Sequence, residues 1–390
     1  MKICYIIGRF PPVYGGATNV EILKSKYLIE KGHDIYFITP RFDKEHPKFE
    51  VFEGINVIRV YPALKGPVSE LLYVLNAFLQ LIFLRIKPDL LVDVIPFGNS
   101  MLITRLFSII LRLPIVARLT QSGSNEPLSA LKGKFSFIKK RLFSTYKKII
   151  AISPDLYKNC LQAGISKDRV KLIPNCVDTE RFLPLEEDEK IELRNKLFPG
   201  LMGGIVTVVG AVSERKRAHL AVEVWRVLKS KYDRPVTLVF VGPVESSGHP
   251  FDVDYVDQLK QTINNYRLSD SIIFTGLKEN VQAYFQVSDI LLFLSKREGL
   301  PGVVLQSMSS GIPIITTKME NITEFILTNG HEGIISSDEP KEIADHIITL
   351  LSNAELRQAM GIKGRQNALN RFSIPEVSRK IEHLYFHVSS

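Results

Sequence analysis

The sequence predicts an α/β protein with two doubly wound, Rossmann-like domains that face each other across a cleft. The first observation is length, because 390 residues suffice for two separate cores. The second is that short apolar runs alternate with segments of helical period, as parallel strands covered by helices on both faces do. The third is that these runs form two sets. The acidic, proline-containing stretch RFLPLEEDEKIELRNKLFPG divides them, and we interpret it as a linker.

The candidate strands follow one another at intervals that leave room for helices between most of them. In chain order they are KICYII, DIYFIT, INVIRVY, DLLVDVI, IVARLT and KIIAIS, then IVTVVG, TLVFVG, SIIFTG, ILLFLS and IPIIT. We predict an N-terminal domain over residues 1–180, a C-terminal domain over 181–373, and a helix at about 374–390 that packs back on the first domain. Ligands of such folds bind beyond the carboxyl ends of the strands, so the loops after strands are the candidate sites.

Charge and cysteine content narrow the functional class. Lys and Arg number 50 against 41 Asp and Glu, a net charge of +9 that favours an anionic partner such as a phosphate, a nucleic acid or an acidic lipid. The three cysteines, Cys4, Cys160 and Cys176, show no CxxC spacing. We therefore predict neither a disulfide framework nor a zinc site, and a reducing cytoplasm fits.

Two apolar segments have neither the pattern of a signal peptide nor that of a membrane span. The start, MKICYIIGRFPP, is typical of a first strand rather than a signal peptide. The segment LLYVLNAFLQLIFLRIK contains Asn76 and Gln80 and falls short of the roughly 20 apolar residues of a membrane span. We expect it to form a buried helix.

A pair of glycines follows the first predicted strand, in GRFPPVYGGATNVEIL. Thr18 and Glu21 have the spacing of a capping box, which predicts that a helix begins at Thr18. Gly15 and Gly16 then immediately precede a helix N-terminus, where backbone amides and the helix dipole favour an anion. A flexible turn explains the two glycines equally well, and the sequence leaves both interpretations open.

Two adjacent cations, Arg215 and Lys216, lie between a predicted strand and a helix in VVGAVSERKRAHLAVEVW. Such a pair can clamp a diphosphate and neutralise the charge that builds on a phosphate leaving group. Positive charge is unfavourable at a helix N-terminus unless an anion is bound, which favours a functional role over an ordinary solvated helix start. We expect Arg217 to face solvent.

The stretch REGLPGVVLQSMSSG, residues 297–311, follows the predicted strand ILLFLS and opens a helix. Glu298 and Gln306 can both accept hydrogen bonds from the hydroxyl groups of a sugar or ribose. The amides of Gly302, Val303 and Val304, which lie between them, suit a phosphate. The alternative is that Glu298 only charges the helix N-terminus, which is worth under about 1 kcal/mol.

Together these segments resemble the retaining glycosyltransferases of family four, which have the GT-B fold of two facing Rossmann-like domains. The resemblance covers nearly the whole chain in the family's order: the GG loop, SPDLYKNCLQAGISKDRVKLIPNCVDTERF, VGAVSERK, FTG, EGLPGVVLQSMSSGIPIIT and GHEGII. Each element is weakly specific, whereas the ordered set is strongly specific. The resemblance implies a nucleotide-diphosphate sugar donor and no cofactor beyond this substrate. It also implies no metal, since cations and helix dipoles can stabilise the leaving group.

The resemblance also implies roles for the candidate residues. Gly15 and Gly16 would approach the donor phosphates or sugar from the acceptor-side N-terminal domain. The predicted catalytic set lies in the donor-binding C-terminal domain, where Arg215 and Lys216 would bind the diphosphate and Glu298 would contact the donor sugar. The remaining donor contacts would come from the base-recognising backbone of Gly276 and Leu277, the amides of Gly302, Val303 and Val304, and Gln306 on the ribose hydroxyls.

The chain departs from the family at three places. Gln306 stands where the family has a second glutamate; it still accepts a hydrogen bond, but its neutrality bears on donor affinity. Cys176 replaces the glycine of NGVD. The loop ARLTQSGSNEPLS lacks the N-domain histidine that many members place near the reacting sugar. The polar residues of that loop are candidates for acceptor or sugar contacts instead, although an ordinary loop around a glycine turn explains them equally well. They are Arg118, Thr120, Ser122 and Ser124.

The segment KGKFSFIKKRLFSTYKK, residues 132–148, contains seven Lys or Arg and no acid. On a helical wheel Phe135, Ile138, Leu142 and Tyr146 share the face that we expect to pack on the domain. An exposed aromatic within the basic face indicates docking on an anionic membrane, near a lipid-linked acceptor. A solvated basic helix is the alternative, and nucleic acid is disfavoured because no recognised binding module accompanies the charge. The proposed membrane contacts are Phe137, Lys140, Arg141, Lys147 and Lys148.

We therefore predict a metal-independent retaining glycosyltransferase, cytoplasmic and peripheral on the inner face of the plasma membrane, that acts in cell-surface polysaccharide or glycolipid synthesis. Its expected partners are a nucleotide sugar, a glycan or lipid-linked acceptor and an anionic membrane surface, but not nucleic acid. A sugar-nucleotide epimerase of the same fold is one alternative, and it would turn over the donor without an acceptor. A catalytically silent partner protein of that fold is the other.

Overall fold

The structure, a computed structural model, describes residues 1–12, 15–61, 67–94, 101–120, 127–131, 136–244 and 253–389. Residue contacts divide the chain into two compact units, the first comprising Met1–Cys176 with Ile374–Ser390 and the second Val177–Ser373. Each unit contains a largely parallel sheet with helices between its strands. The predicted α/β class with two Rossmann-like domains is confirmed.

The sheet of the first unit has eight strands in the order β3-β4-β2-β1-β5-β6-β7-β8, and only β3 runs antiparallel to its neighbour. Every residue of β5 and β6 is buried, as their apolar composition predicts. The strands are β1 (Lys2–Ile6), β2 (Asp34–Pro40), β3 (Phe49–Phe52), β4 (Ile55–Val60), β5 (Leu90–Asp93), β6 (Ile115–Leu119), β7 (Lys148–Ala151) and β8 (Val170–Leu172). The helices are α1 (Gly16–Glu30), α2 (Pro67–Phe83), α3 (Met101–Ile110), α4 (Pro127–Ala130), α5 (Ser136–Phe143) and α6 (Pro154–Gln162).

The sheet of the second unit has six parallel strands in the order β11-β10-β9-β12-β13-β14. Its elements are α7 (Glu187–Leu197), β9 (Gly204–Val209), α8 (Ala218–Lys229), β10 (Val236–Val241), α9 (Val253–Asn265), β11 (Ile272–Phe274), α10 (Val281–Gln286), β12 (Ile290–Phe293), α11 (Gly302–Ser309), β13 (Ile314–Thr317), α12 (Thr323–Ile326), β14 (Gly333–Ser336), α13 (Pro340–Ser352) and α14 (Ala354–Phe372). The last helix, α15 (Ile374–Ser389), belongs to the first unit, where it packs against α1 and buries Val377, Ile381 and Tyr385.

The strand order reverses once in each sheet, and these switch points position the candidate sites. In the second unit the chain runs outward through β9, β10 and β11 and then returns to β12 on the other side of β9. In the first unit the same reversal lies between β1 and β5. Ligands of doubly wound sheets bind at such reversals, beyond the carboxyl ends of the strands. The GG loop follows β1, and the loops with Arg215 and Glu298 follow β9 and β12.

The acidic stretch at 181–200 is not an extended linker. It forms α7, which begins with a capping box between Glu186 and Glu189. Lys190 and Arg194 of α7 pair with Asp289, at 3.3 Å from Nζ to Oδ1 and 2.7 Å from Nη2 to Oδ2. These ion pairs attach the helix to the second unit.

Candidate active site

Arg215 and Lys216 lie in a single 3-10 turn, Glu214–Lys216, between β9 and α8. Arg217 ends this turn in the left-handed region, at φ +56°, and so redirects the chain into α8. Its guanidinium Nη1 lies 2.8 Å from Oδ1 of Asp338. The expectation that Arg217 faces solvent is therefore wrong, since the Asp338 carboxylate binds its side chain.

Glu298 joins the loop after β12 to this turn. Its Oε1 lies 2.6 Å from Arg215 Nη1, from Lys216 Nζ and from Ser295 Oγ. The loops are also linked through backbone, because Lys296 N donates to the carbonyl of Arg215 at 3.0 Å. The structure thus brings together all three residues of the predicted catalytic set.

The two cations and the carboxylate change one another's ionisation. Burial raises the pKa of Glu298. Lys216, Ser295 and Arg215 together lower it by more than burial raises it, so the pKa lies below the ordinary value. Burial lowers the pKa of Lys216 by more than Glu298 raises it. A lysine ammonium has three N–H donors and a guanidinium has five. Both cations therefore keep donors for a second anion while they hold Glu298.

The N-terminus of α11 offers two amides rather than three. The N-terminal cap is Pro301, which has no capping side chain. The amides of Gly302 and Val303 have no hydrogen-bond partner among the described residues, whereas Val304 N donates to the carbonyl of Pro301 at 3.1 Å. The predicted contribution of the Val304 amide is therefore contradicted, because that amide already closes the first turn. Gln306 lies on α11 about one turn further on, and it is partly exposed.

The loop after β11 approaches the same edge of the sheet. Gly276 adopts φ +72°, and its carbonyl accepts a hydrogen bond from Gly242 N at 3.1 Å. Gly242 is tightly packed in turn, since a Cβ atom there would lie 2.1 Å from the carbonyl oxygen of Gly210. The neighbouring Leu277 is 63% exposed and presents an apolar surface at the loop.

The GG loop of the first unit leads directly into α1. The helix begins at Gly16 with Gly15 as its cap, and no side chain caps it, so the predicted start at Thr18 and its capping box are wrong. Thr18 Oγ1 donates instead to the carbonyl of Arg9 at 2.7 Å. A Cβ atom on Gly16 would meet no described atom within 4 Å, which leaves space beside the helix N-terminus.

The predicted polar contacts after β6 are only partly accessible. Arg118 is 1% exposed; its Nη1 lies 2.6 Å from Glu21 Oε1, and its Nη2 donates to Asn175 Oδ1 at 2.8 Å. Burial raises the pKa of Glu21, and Arg118 opposes that rise. The expectation that Arg118 contacts an acceptor or sugar is contradicted, because buried partners hold its guanidinium. Thr120 is partly exposed, and Ser122 and Ser124 lie outside the described residues.

The basic segment 132–148 is not one helix. Residues 132–135, which include Phe135, lie outside the described residues; α5 ends at Phe143, and Lys148 begins β7. Lys147 and Lys148 donate to the carbonyls of Val388 and Asp168, at 3.3 and 2.8 Å. Phe137 is 74% exposed and Lys140 and Arg141 are exposed, as expected. Tyr146 is buried and Leu142 partly buried, as the predicted packing face requires, but Ile138 is exposed, so the prediction is wrong at that position, and Phe143 anchors the helix instead.

Sequence reasoning missed Ser295, which fixes the orientation of the Glu298 carboxylate. The available signal was a hydroxyl residue three positions before Glu298, at the end of a buried strand. Among the described residues, no cluster of His, Cys, Asp or Glu has a metal-binding arrangement. No helix in the described part of the chain is both long and apolar enough to cross a membrane.

Two doubly wound units, with a carboxylate and two cations at the switch point of the second, define a protein of the GT-B glycosyltransferase class. Residues 14–181 match the family model Glycosyltransferase Family 4, and residues 189–367 match Glycosyl transferases group 1. The chain belongs to this family and is a glycosyltransferase.

The chain is similar to known glycosyltransferases, in two of the cases below over nearly its whole length. N-acetyl-alpha-D-glucosaminyl L-malate synthase of Bacillus anthracis is 24% identical over 400 aligned residues, covering 100% of this chain and 98% of the relative. The alpha-galactosylglucosyldiacylglycerol synthase of Streptococcus pneumoniae is 26% identical over 229 residues, or 57% of each protein. The crystal structure of Anabaena HepE in complex with UDP and glucose superposes with a TM-score of 0.76 at 19% identity, covering 98% of this chain and 99% of HepE.

Proposed function

We propose that this glycosyltransferase moves a sugar from a nucleotide-diphosphate donor to an acceptor hydroxyl, with retention of the anomeric configuration and without a metal ion. The observation that carries the proposal is the convergence of Arg215, Lys216 and Ser295 on one oxygen of Glu298 at the switch point. This arrangement combines two cations for a diphosphate with a carboxylate for sugar hydroxyls. The HepE complex makes UDP the first nucleotide to test.

The diphosphate would bind to the remaining N–H donors of Arg215 and Lys216. Negative charge grows on the leaving phosphate as its bond to the sugar breaks, and the two cations stabilise that charge. The free amides of Gly302 and Val303 reinforce the effect at the helix N-terminus. Glu298 holds the sugar, Gln306 holds the ribose hydroxyls, and the loop of Gly276 and Leu277 contacts the base.

Retention follows if the acceptor attacks the face that the diphosphate leaves. The bond from the anomeric carbon to the diphosphate oxygen breaks, the bond to the acceptor oxygen forms, and the acceptor proton passes to the leaving diphosphate. Gly15 and Gly16 would approach the phosphates or sugar from the first unit. This chemistry requires neither a covalent intermediate nor a metal.

The acceptor side points to polysaccharide or glycolipid synthesis at the cytoplasmic face of a membrane. One relative is named for making a glycosylated diacylglycerol. The exposed Phe137 of this chain lies beside exposed Lys140 and Arg141, which suits a peripheral protein with a glycan or lipid-linked acceptor.

The test is a panel of nucleotide sugars, screened first by protection against thermal unfolding and then by turnover with glycan and glycolipid acceptors in EDTA. Proton NMR of the product should show the anomeric configuration of the donor. Inversion, or activity lost in EDTA and restored by a divalent cation, would contradict the proposal. Epimerised donor formed without any acceptor would identify an epimerase, and absence of binding to every donor would identify a silent partner.

A further inference from the structure

The α2 helix has an apolar face that the described residues cover only in part. We expected a buried helix, but only one side of α2 is buried. Tyr73 anchors that side, because its hydroxyl lies 2.9 and 2.8 Å from the carbonyl oxygens of Ile7 and Ile38. The opposite side is exposed towards both ends of the helix, whereas Leu75 and Asn76 in its middle are partly buried, and Phe83 is 75% exposed. Its exposed residues are Val68, Leu72, Leu79, Ile82 and Phe83.

The C-terminal end of α3 extends this apolar face. The two helices pack against each other, and each runs back between parallel strands, so their C-terminal ends lie at the same edge of the sheet. Ile109 and Ile110, at the end of α3, are each 60% exposed. We call the exposed side of α2 together with Ile109 and Ile110 the α2–α3 face. Contiguous exposed apolar patches of this kind mark sites of interaction with a membrane or another protein.

Basic residues border the α2–α3 face. Arg85 and Arg112 follow the ends of the two helices, and both are exposed. Helix α5 packs against α3, with Arg105 Nη1 donating to the carbonyl of Arg141 at 2.7 Å, and it adds the exposed Lys140 and Arg141.

Acidic side chains near this face are few. Between residues 71 and 120 the only acidic residues in the sequence are Asp89 and Asp93. Asp93 is buried and accepts a hydrogen bond from Tyr146 at 2.5 Å, and Asp89 accepts one from the backbone of Lys2 at 2.7 Å. A second copy of the chain would place like charges opposite each other, whereas an anionic lipid surface complements them.

We propose that the α2–α3 face inserts into the interface of an anionic bilayer, with the bordering Arg and Lys residues on the lipid phosphates. The inference deepens the proposed function, on which it rests for its purpose: it names the surface by which the first unit attaches to the membrane that contains a lipid-linked acceptor. In this arrangement the apolar side chains of α2 and α3 insert into the bilayer. Helix α5 contributes its positive charges and Phe137 beside them.

Fluorescence of the Phe83→Trp variant tests insertion directly. Trp225 is the chain's one native tryptophan and is fully buried, so it contributes a constant background. On vesicles of phosphatidylglycerol and phosphatidylcholine, the emission of the new tryptophan should shift to the blue and be quenched by lipids brominated on the acyl chain. Unchanged emission would overturn the proposal.

Vesicle flotation of the full chain measures how much the apolar side chains of the α2–α3 face contribute to membrane binding. We expect Ile82→Gln with Phe83→Gln to lower the partition coefficient about tenfold or more, because each apolar side chain contributes strongly on burial. Ile362→Gln, which removes an exposed isoleucine from the second unit, is the matched control and should bind as the unchanged protein does. Equal loss in the control would overturn the assignment of the face.

Two further experiments distinguish an anionic membrane from a second copy of the chain as the partner of the α2–α3 face. Binding should weaken with added salt and with vesicles of phosphatidylcholine alone; insensitivity to both would contradict the charge argument. A concentration-dependent dimer that the Gln variant abolishes would assign the face to a second copy instead. Thermal protection by UDP should be the same in all these variants. Its absence throughout would refute the proposed donor class without bearing on docking.

Discussion

At the scale of single residues, the two oxygens of Glu298 differ in their surroundings. Oε1 is held by Arg215, Lys216 and Ser295, whereas Oε2 has no hydrogen-bond partner among the described residues. A carboxylate fixed through one oxygen can present the other to a sugar hydroxyl without reorganising, which is the condition for electrostatic preorganisation.

Replacing Glu298 therefore affects turnover more than nucleotide binding. We expect Glu298→Ala to lower kcat by about a hundredfold or more, while UDP affinity is kept or rises because the cations lose their competing anion. Steady-state kinetics and calorimetry with UDP measure the two effects. Glu214→Ala removes an exposed carboxylate from the same turn as Arg215 and should retain activity. Full activity of Glu298→Ala would exclude the assigned role.

The pKa of Lys216 predicts the alkaline limit of donor binding. In the proposed complex the ammonium form of Lys216 binds the diphosphate, and burial lowers the pKa of that group below the ordinary 10.5. UDP affinity should therefore fall as pH rises, beginning below 10.5. Lys216→Arg keeps its charge over this range, and the ratio of the two affinities cancels the ionisation of UDP itself. A ratio independent of pH would show that Lys216 is not the titrating group.

The family resemblance assigned Arg215, Lys216 and Glu298 to one donor site, and residue type and position agree with that assignment, because loops at a switch point meet in space. They were not enough for Arg118. Its partner Glu21 lies far away in sequence, on α1, and nothing local reveals that the two pair in the interior. The prediction that the Val304 amide contacts a phosphate was wrong for a geometric reason. The conformation of the cap decides which amide closes the first turn of a helix, and here it is that of Val304.

At the scale of elements, α11 places Gln306 about one turn beyond its free amides. In the proposed complex the helix would fix the distance between the phosphate and ribose contacts, so the side chain at this position would decide how the ribose is held. The amide of Gln306 can still accept a hydrogen bond, although it lacks the charge of the family's glutamate.

The strength of this contact can be measured by substitution. We expect Gln306→Ala to weaken UDP binding about fivefold to tenfold, the value of one hydrogen bond, and Gln306→Glu to match or exceed the original affinity. Titration with 2′,3′-dideoxy-UDP is the control, because the original protein and Gln306→Ala should then bind equally. A full effect of Gln306→Ala on the dideoxy ligand would place the residue away from the ribose.

Elements differ in how well the sequence predicts them. The buried parallel strands contain clear apolar runs, whereas the short edge strands β3, β8 and β14 were missed. Edge position alone does not explain this, because the equally short edge strand β11 was predicted from its apolar run SIIF. The burial of α2 was misjudged for another reason. Hydropathy shows that a helix is apolar on all sides, but only the fold shows which side is covered.

At the scale of the whole molecule, each unit has its own hydrophobic core, and the chain passes between them after Cys176 and after Ser373. The two passages are adjacent, since Val177 N donates to the carbonyl of Phe372 at 2.8 Å. The second unit alone contains the carboxylate, both cations and the free amides of α11. The proposed diphosphate recognition would thus belong to one unit, and it can be measured without knowing the acceptor.

The most direct test compares UDP with uridine in the original protein and in Arg215→Ala, Lys216→Ala and Arg217→Ala. Calorimetry should show that UDP binds the original protein much more tightly than uridine. Loss of either site cation should weaken UDP binding about tenfold to a hundredfold, the range for charged hydrogen bonds, while uridine binding stays unchanged. Arg217→Ala should bind UDP normally, because Asp338 already holds that side chain. Equal effects of all three substitutions, or equal affinity for UDP and uridine, would contradict a diphosphate site at Arg215, Lys216 and Glu298.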